Sequence, residues 1–165
     1  MLSFARKWIL AGLLSSAAFT HPALAAATDF DGMVTVGQHQ LQVAQAGQGP
    51  YTVLFEAGFA SDQSVWRKVA PEIAKKAAVL VYSRAGYGKS PARTQPLTLE
   101  QSVAELAAVL EARKVQGPLI LVGHSYGGFL IRYFAATHPQ QVAGMVFVDP
   151  ADEGFESVLK GIDAA

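Results

Sequence analysis

The stretch that decides the fold is Val122-Gly123-His124-Ser125-Tyr126-Gly127-Gly128, directly after the apolar run Leu119 to Val122. A serine between two glycines, with an apolar segment before it and a helical pattern after it, has the G-x-S-x-G arrangement of a sharp strand-to-helix turn. Flanking side chains would clash in so tight a turn, and glycine at 123 and 127 removes the clash. The stretch therefore predicts that the Ser125 hydroxyl projects from the end of a strand.

Other interpretations of the glycines are weaker. A pattern with three fixed positions also arises by chance at an ordinary turn, but the strand before it and the helix after it favour the nucleophile turn. The spacing of Gly123, Gly127 and Gly128 is not the G-x-G-x-x-G of a dinucleotide site. The segment Gly86 to Ser90 suggests a phosphate loop, yet a Walker motif needs glycine at 83, where Ser83 stands.

The order of the predicted elements indicates an α/β fold. A small hairpin comes first, and continuous apolar runs then alternate with segments of helical periodicity. One of these helices begins with the spacing of a capping box, Thr98 to Gln101, and Gly117-Pro118 is expected to end it. Such alternation predicts a mostly parallel sheet with helices on both faces. The predicted strands are Met33–Val36, Leu41–Ala44, Tyr51–Phe55, Ala78–Tyr82, Leu119–Val122 and Gly144–Val148, and the second long helix is Tyr126–Thr137.

The N-terminal residues have the pattern of an export signal. Arg6 and Lys7 precede an apolar stretch from Trp8 to Phe19, and Ala23-Leu24-Ala25 has the small-x-small pattern of a cleavage site. A membrane anchor would need about 20 apolar residues, more than this stretch supplies. We therefore predict a cleaved signal peptide at residues 1–25, a periplasmic or secreted protein, and no stable membrane association after cleavage.

Composition limits the partners. Lysine plus arginine and aspartate plus glutamate number 13 each, and the formal net charge is zero. No basic stretch recurs after the leader, so nucleic acid is not an expected partner. The chain has no cysteine, which excludes disulfides and thiolate metal sites. The expected partner is a small, largely uncharged molecule, and neither a metal ion nor an organic cofactor is implied.

Four stretches in this order resemble the N-terminal half of the α/β-hydrolase fold: residues 51–59, 82–90, 122–128 and 144–150. The resemblance implies that residues 26–165 form a partial hydrolase domain, truncated after the strand that follows the helix of the serine turn. It implies Ser125 as nucleophile, with the backbone N–H groups of Phe59 and Tyr126 as oxyanion donors. Where the family commonly has aspartate the chain has Ser83, which is expected to loosen the loop after that strand.

The acid of a catalytic triad is only partly assigned. The family order is serine, acid, histidine. Asp149 lies at the end of the strand after the Ser125 helix, where some members of the family carry the acid, although most place it one strand later. The other interpretation of Asp149 is a strand-end turn before Pro150.

No histidine of the chain fits the role of general base. The first histidine lies in the predicted leader, and the second lies in the hairpin, about three strand spacings or ~14 Å from the serine strand. The third lies inside the serine turn, with its side chain directed away from the hydroxyl. The fourth lies roughly 20 Å down the following helix. In sequence order the leader, hairpin, turn and helix histidines are His21, His39, His124 and His138.

The sequence thus predicts a serine hydrolase of the α/β-hydrolase type that acts on a small neutral ester, lactone or amide. Because the histidine is missing, little activity is expected from this chain alone. Either the chain is a truncation or another chain supplies the missing half. The alternative function is a non-catalytic binding module or an inert fragment that keeps the fold.

Overall fold

The computed structural model describes residues 29–115, 118–151 and 154, so the predicted signal peptide at 1–25 lies outside the described residues. The strands are β1 Phe30–Val36, β2 His39–Ala46, β3 Thr52–Glu56, β4 Ala78–Tyr82, β5 Leu119–Ser125 and β6 Val142–Pro150. The helices are α1 Ala70–Ala74, α2 Leu99–Ala112 and α3 Gly127–Thr137, with 3-10 turns at Gln63–Trp66 and Pro139–Gln141. All six predicted strands and both predicted helices are present, with ends shifted by up to three residues for the strands.

The six strands form one sheet in the order β1-β2-β4-β3-β5-β6. β1 and β2 are an antiparallel hairpin that joins β4 in antiparallel orientation. β4, β3, β5 and β6 are parallel to one another. The sheet is therefore mostly parallel, as predicted, and the carboxyl ends of its four parallel strands meet at one edge.

Two apolar layers cover the sheet because successive residues of a strand point to opposite faces. From β3, Leu54 packs on the face covered by α2 and α3, where Leu106 and Ile131 are fully buried. Phe55 packs on the opposite face, against Trp66 and the residues of α1. This confirms the prediction of helices on both faces and explains why β3 reads as a continuous apolar run.

The two ends of α2 differ in how well the sequence indicates them. The capping box is present: the Thr98 hydroxyl accepts from the Gln101 N–H at 3.2 Å, and the Gln101 side chain accepts from the Thr98 N–H at 2.9 Å. The predicted stop at Gly117-Pro118 is wrong. The helix ends at Ala112, and Lys114, in the left-handed region at φ +54°, closes the end in place of a glycine.

β6 leaves one edge and much of its apolar surface open. It pairs with β5 on one side, and no strand among residues 29–115 and 118–151 pairs with its other side. Its side chains at 145–148 are 38–48% exposed, namely those of Met145, Val146, Phe147 and Val148. Within the described ranges, no helix is long and apolar enough to cross a bilayer.

Candidate active site

Ser125 occupies the predicted sharp turn. It is the last residue of β5, its φ is +49°, and α3 begins two residues later at Gly127. A left-handed conformation is strained for a residue with a side chain, and such strain is concentrated at functional sites. The turn is therefore present as the sequence predicts, at the carboxyl edge of the parallel strands.

The two glycines of the turn are required by close backbone contacts. A Cβ at Gly123 would lie 2.7 Å from the carbonyl oxygen of Gly127. A Cβ at Gly127 would lie 2.5 Å from the carbonyl oxygen of Glu56. Both distances are far below van der Waals contact, so the predicted steric reason for these glycines is confirmed.

The loop after β3 lies against the serine turn. A Cβ at Gly58 would stand 2.9 Å from the Nδ1 atom of His124 and 3.3 Å from the Cβ of Ser125. The next residue, Phe59, offers a backbone N–H for which no described residue is the acceptor. The Phe59 ring packs edge-on against the Tyr126 ring, with their centroids 6.3 Å apart. The structure thus brings both predicted oxyanion donors next to Ser125.

The Ser125 hydroxyl has no partner within the described part of the chain. The residue is half-buried, and no described side chain or backbone group forms a hydrogen bond with its Oγ. A general base would have to lie within about 3 Å of this oxygen.

The three described histidines have other surroundings. The His124 ring meets Trp66 edge-on, with centroids 6.5 Å apart. His138, at the far end of α3, stacks on Phe134 at 4.5 Å. His39 begins β2, which is three strands away from β5 in the sheet.

Asp149 lies beside the serine turn on the neighbouring strand. The β5–β6 register passes from His124 opposite Val148 to Ser125 opposite Pro150, so Asp149 is the extra residue of a bulge. Its φ is +43°, also in the left-handed region. Its side chain is exposed and forms no hydrogen bond with a described residue. The structure brings Asp149 to the level of Ser125, and its role as acid stays a prediction.

A buried charged cluster that sequence reasoning missed lies behind the Phe59 loop. Glu56 is 1% exposed and pairs with Arg84, which is 9% exposed. The Tyr82 hydroxyl donates to the second carboxylate oxygen of Glu56 at 2.6 Å. Arg84 also donates from Nη1 to the carbonyl oxygen of Ala57 at 2.7 Å, and from Nη2 to that of Gly58. A glutamate ending a fully buried strand was a signal that a cation had to lie nearby.

Burial dominates the electrostatics of this cluster. It raises the pKa of the Glu56 carboxyl, and the Arg84 guanidinium and the Tyr82 hydroxyl oppose that rise. Burial would lower the pKa of Arg84, but the charge of Glu56, the interaction with Tyr82 and the hydrogen bond to Glu56 together outweigh burial, and the pKa is raised. The pKa of the Tyr82 hydroxyl is raised well above its usual value by burial and by Glu56. Arg84 therefore stays charged.

A cavity of about 510 Å³ opens beside the serine turn. Phe59 and Tyr126 form the wall nearest to Ser125, and Arg84 and Arg93 also line the cavity. Each arginine is paired with a buried carboxylate, Arg84 with Glu56 and Arg93 with Glu105. No group of three metal-ligating side chains occurs within residues 29–115 and 118–151.

The loop after β4 is anchored in the structure. Ser83 is fully buried, and its hydroxyl accepts from the Gln63 N–H and donates to the Gln42 side chain, both at 3.3 Å. The Ser90 hydroxyl donates to the Ser83 carbonyl oxygen at 2.7 Å. Two serine hydroxyls therefore hold this loop, and the expectation that serine in place of aspartate loosens it stays a prediction.

Comparison with known proteins agrees with the fold. The family model described as alpha/beta hydrolase fold matches residues 51–164. The chain belongs to this family.

Individual relatives match between 62% and 73% of the chain. The uncharacterized protein YqjL of Bacillus subtilis is 34% identical over 105 residues, which are 64% of this chain and 42% of that protein. Lipase LipV of Mycobacterium tuberculosis is 39% identical over 106 residues, 62% of this chain and 38% of that protein. The structure of a thermophilic esterase from Thermogutta terrifontis, 24% identical, covers 73% of this chain and 46% of that one with a TM-score of 0.65. The match thus spans about two fifths of the length of these two curated relatives.

Proposed function

We propose that this chain carries the nucleophile half of a serine hydrolase, in which Ser125 attacks a small neutral ester, lactone or amide. The observation that carries the proposal is the left-handed Ser125 at the carboxyl edge of the sheet, beside the Phe59 N–H. The family relationship supports hydrolysis, and the serine at this position supports acyl transfer through a covalent intermediate.

The chemistry follows from the arrangement of groups. Ser125 Oγ forms a bond to the carbonyl carbon while its proton passes to a general base, and the π electron pair moves onto the carbonyl oxygen. The N–H groups of Phe59 and Tyr126 stabilise that oxyanion. Its collapse breaks the bond to the leaving group, which takes the proton from the base. Water then cleaves the acyl-serine by the same two steps and restores the hydroxyl.

The substrate class rests on the cavity beside the turn. Its volume of about 510 Å³ fits a small molecule, and aromatic side chains line the part nearest to Ser125. Both arginines of its wall are already paired with carboxylates, so the described lining residues offer no unpaired charge for an ionic substrate. A neutral acyl compound is the substrate that this wall favours.

We further propose that the described half is catalytically crippled when it acts alone. No described histidine reaches Ser125, and the proposed acid, Asp149, lies on the neighbouring strand. Without a base the serine keeps oxyanion stabilisation but loses most of the rate. Export with removal of residues 1–25, and hence a periplasmic or secreted location, is proposed from the N-terminal pattern alone.

Chemical rescue tests the proposal. Imidazole added to the solution can act as the missing base, so hydrolysis of para-nitrophenyl butyrate should rise with imidazole above the rate in its absence and above the protein-free background. Ser125→Ala should abolish that rise, and the matched exposed serine variant Ser64→Ala should keep it.

The second candidate function, a binding module without chemistry, is favoured by the lack of a base among the described residues. It predicts the same rate for wild type and Ser125→Ala at every imidazole concentration. That result, with both proteins folded by circular dichroism, would overturn the hydrolase proposal.

A further inference from the structure

Arg84 connects the loop after β3 to the buried cluster behind it. Its guanidinium donates to two successive backbone carbonyls of that loop, those of Ala57 and Gly58, while it pairs with Glu56. The rings of Tyr87 and Tyr126 flank it, with centroids 5.5 and 5.6 Å from its Cζ atom. A planar guanidinium with several donors can hold two carbonyls and a carboxylate at once, which an ammonium group cannot do in the same geometry.

Peptide geometry makes these carbonyl contacts relevant to the serine. In a trans peptide unit the C=O and the N–H point in opposite directions within one plane. The carbonyl of Gly58 and the N–H of Phe59 belong to the same unit, so a bond that holds the Gly58 oxygen also sets the direction of the Phe59 N–H. That N–H donates to no described residue, and a Cβ added at Gly58 would stand 3.3 Å from the Cβ of Ser125.

We propose that Arg84 is a positioning residue for the oxyanion hole: it holds the carbonyls of Ala57 and Gly58 so that the Phe59 N–H stays directed at the oxygen that becomes negative during attack by Ser125. The inference rests on the proposed function for its catalytic meaning. Donors that are oriented before the reaction stabilise the transition state without reorganisation. The positive charge on the carbonyl side also polarises the peptide unit and strengthens its N–H as a donor.

Glu56 and Tyr82 form the support for this arrangement. The Glu56 carboxylate faces Arg84 with one oxygen and accepts the Tyr82 hydroxyl hydrogen with the other. Removing the Tyr82 hydroxyl leaves the guanidinium in place but gives its partner more freedom. Tyr82→Phe should therefore act on the same site in the same direction as an Arg84 variant, and to a smaller extent.

The test compares an oxygen ester with its sulfur counterpart. Sulfur is a weak hydrogen-bond acceptor, so a thionoester draws little help from the oxyanion donors. In imidazole-assisted hydrolysis, Arg84→Met should lower the rate on a para-nitrophenyl ester by about tenfold or more, less than the 10²–10³-fold loss seen when a donor is deleted outright. It should leave the thionoester rate nearly unchanged. The preference for oxygen, which is the rate on the oxygen ester divided by the rate on the thionoester, should therefore fall. Arg84→Lys should retain only part of that preference.

Arg113→Met is the matched control. Like Arg84, Arg113 packs its guanidinium on an aromatic ring, that of Phe30, and it donates a hydrogen bond to the side chain of Gln45. Both partners lie on the β1–β2 hairpin, away from the serine turn. Arg113→Met should keep the wild-type preference for oxygen. A loss of equal size on both esters in Arg84→Met would indicate a purely structural role and overturn the proposal. If neither Arg84 variant folds, Tyr82→Phe decides: an unchanged preference for oxygen contradicts the proposal.

A second readout separates failure of this inference from failure of the proposed function. In ¹H–¹⁵N spectra of the free protein, the Phe59 amide should change in chemical shift and exchange with solvent faster in Tyr82→Phe and in any folded Arg84 variant, and stay unchanged in Arg113→Met. If wild type shows no Ser125-dependent hydrolysis but the Phe59 amide responds in this way, the proposed function fails and the orienting contact stands. If hydrolysis depends on Ser125 but the amide does not respond, the role of Arg84 is wrong.

Discussion

Gly127 lies in backbone contact with Glu56: a Cβ at position 127 would stand 2.5 Å from the Glu56 carbonyl oxygen. This contact fastens the start of α3 to the end of β3, and so places the serine turn beside the Phe59 loop. Overpacking at such a point costs about 1–3 kcal/mol. We expect Gly127→Ala to lower the free energy of unfolding by at least that much, as measured by urea denaturation.

Gly144 provides the matched control for that prediction. It lies on β6, and an added Cβ would meet no atom within 4 Å. Gly144→Ala should change the free energy of unfolding by less than about 0.5 kcal/mol. Equal effects of the two variants would contradict the contact between α3 and β3.

The hydrogen bond from Tyr82 to Glu56 joins two fully buried groups. Removing one partner of a buried charged group leaves part of its hydrogen-bonding capacity unsatisfied, at a cost of about 1–3 kcal/mol. Tyr82→Phe should lower the midpoint of urea denaturation accordingly, while Tyr51→Phe, at an exposed position, should leave it unchanged. An unchanged urea midpoint in Tyr82→Phe would show that the Glu56 carboxylate does not need the Tyr82 hydroxyl as a donor.

Asp62 caps the 3-10 turn that begins at Gln63. The Ser64 hydroxyl and backbone N–H lower the pKa of the Asp62 carboxyl, and the backbone bond is 2.7 Å long. A carboxyl with a lowered pKa in the folded state stabilises the protein above its unfolded pKa, near 3.9. That contribution is lost as the pH falls through the folded value.

Asp62→Asn keeps the capping oxygen and removes the charge. Because the carboxyl is largely solvated, we expect the Asp62→Asn variant to be less stable than wild type by only ~0.5 kcal/mol at pH 6. The difference should close below about pH 4, as measured by thermal unfolding across the pH range. A difference that is the same at pH 6 and pH 3 would show that the charge of Asp62 has no part in the capping.

The open edge of β6 should make the protein self-associate. Its exposed apolar side chains, and an edge with which no described strand pairs, form a surface to which another strand can add. Val146→Lys should reduce the associated fraction in sedimentation velocity, because a charge on an edge strand opposes pairing. Val69→Lys, at a similarly exposed valine before α1, should not. If wild type, Val146→Lys and Val69→Lys associate equally, self-association does not use the edge of β6.

The parts of the fold that the sequence predicts are those with local causes. The glycines at 123 and 127 are required by a turn of a few residues, and the capping box at Thr98 needs only one helical turn. These features can be read without knowing what lies next to them. The end of α2 was predicted wrongly because its local signal is absent: Lys114 takes the left-handed conformation in which a glycine would normally be expected.

The missed parts depend on contacts between distant segments. Arg84 meets Glu56 across 28 positions, and only because β4 lies next to β3 in the sheet. The strand order was not predicted, so neither was the pair. The bulge that places Asp149 beside Ser125 likewise appears only once the register of β5 and β6 is known.

The central claim is that the oxygen of Ser125 is the nucleophile, and mapping the site of covalent labelling tests it most directly. Trypsin should release residues 115–132 as one peptide, in which Ser125 is the single serine. After treatment with a fluorophosphonate in the presence of imidazole, the account predicts one phosphonyl group per chain, assigned to Ser125 by fragment masses and absent from Ser125→Ala. Label spread over exposed tyrosines and lysines, with Ser125 unmodified in folded protein, would contradict it.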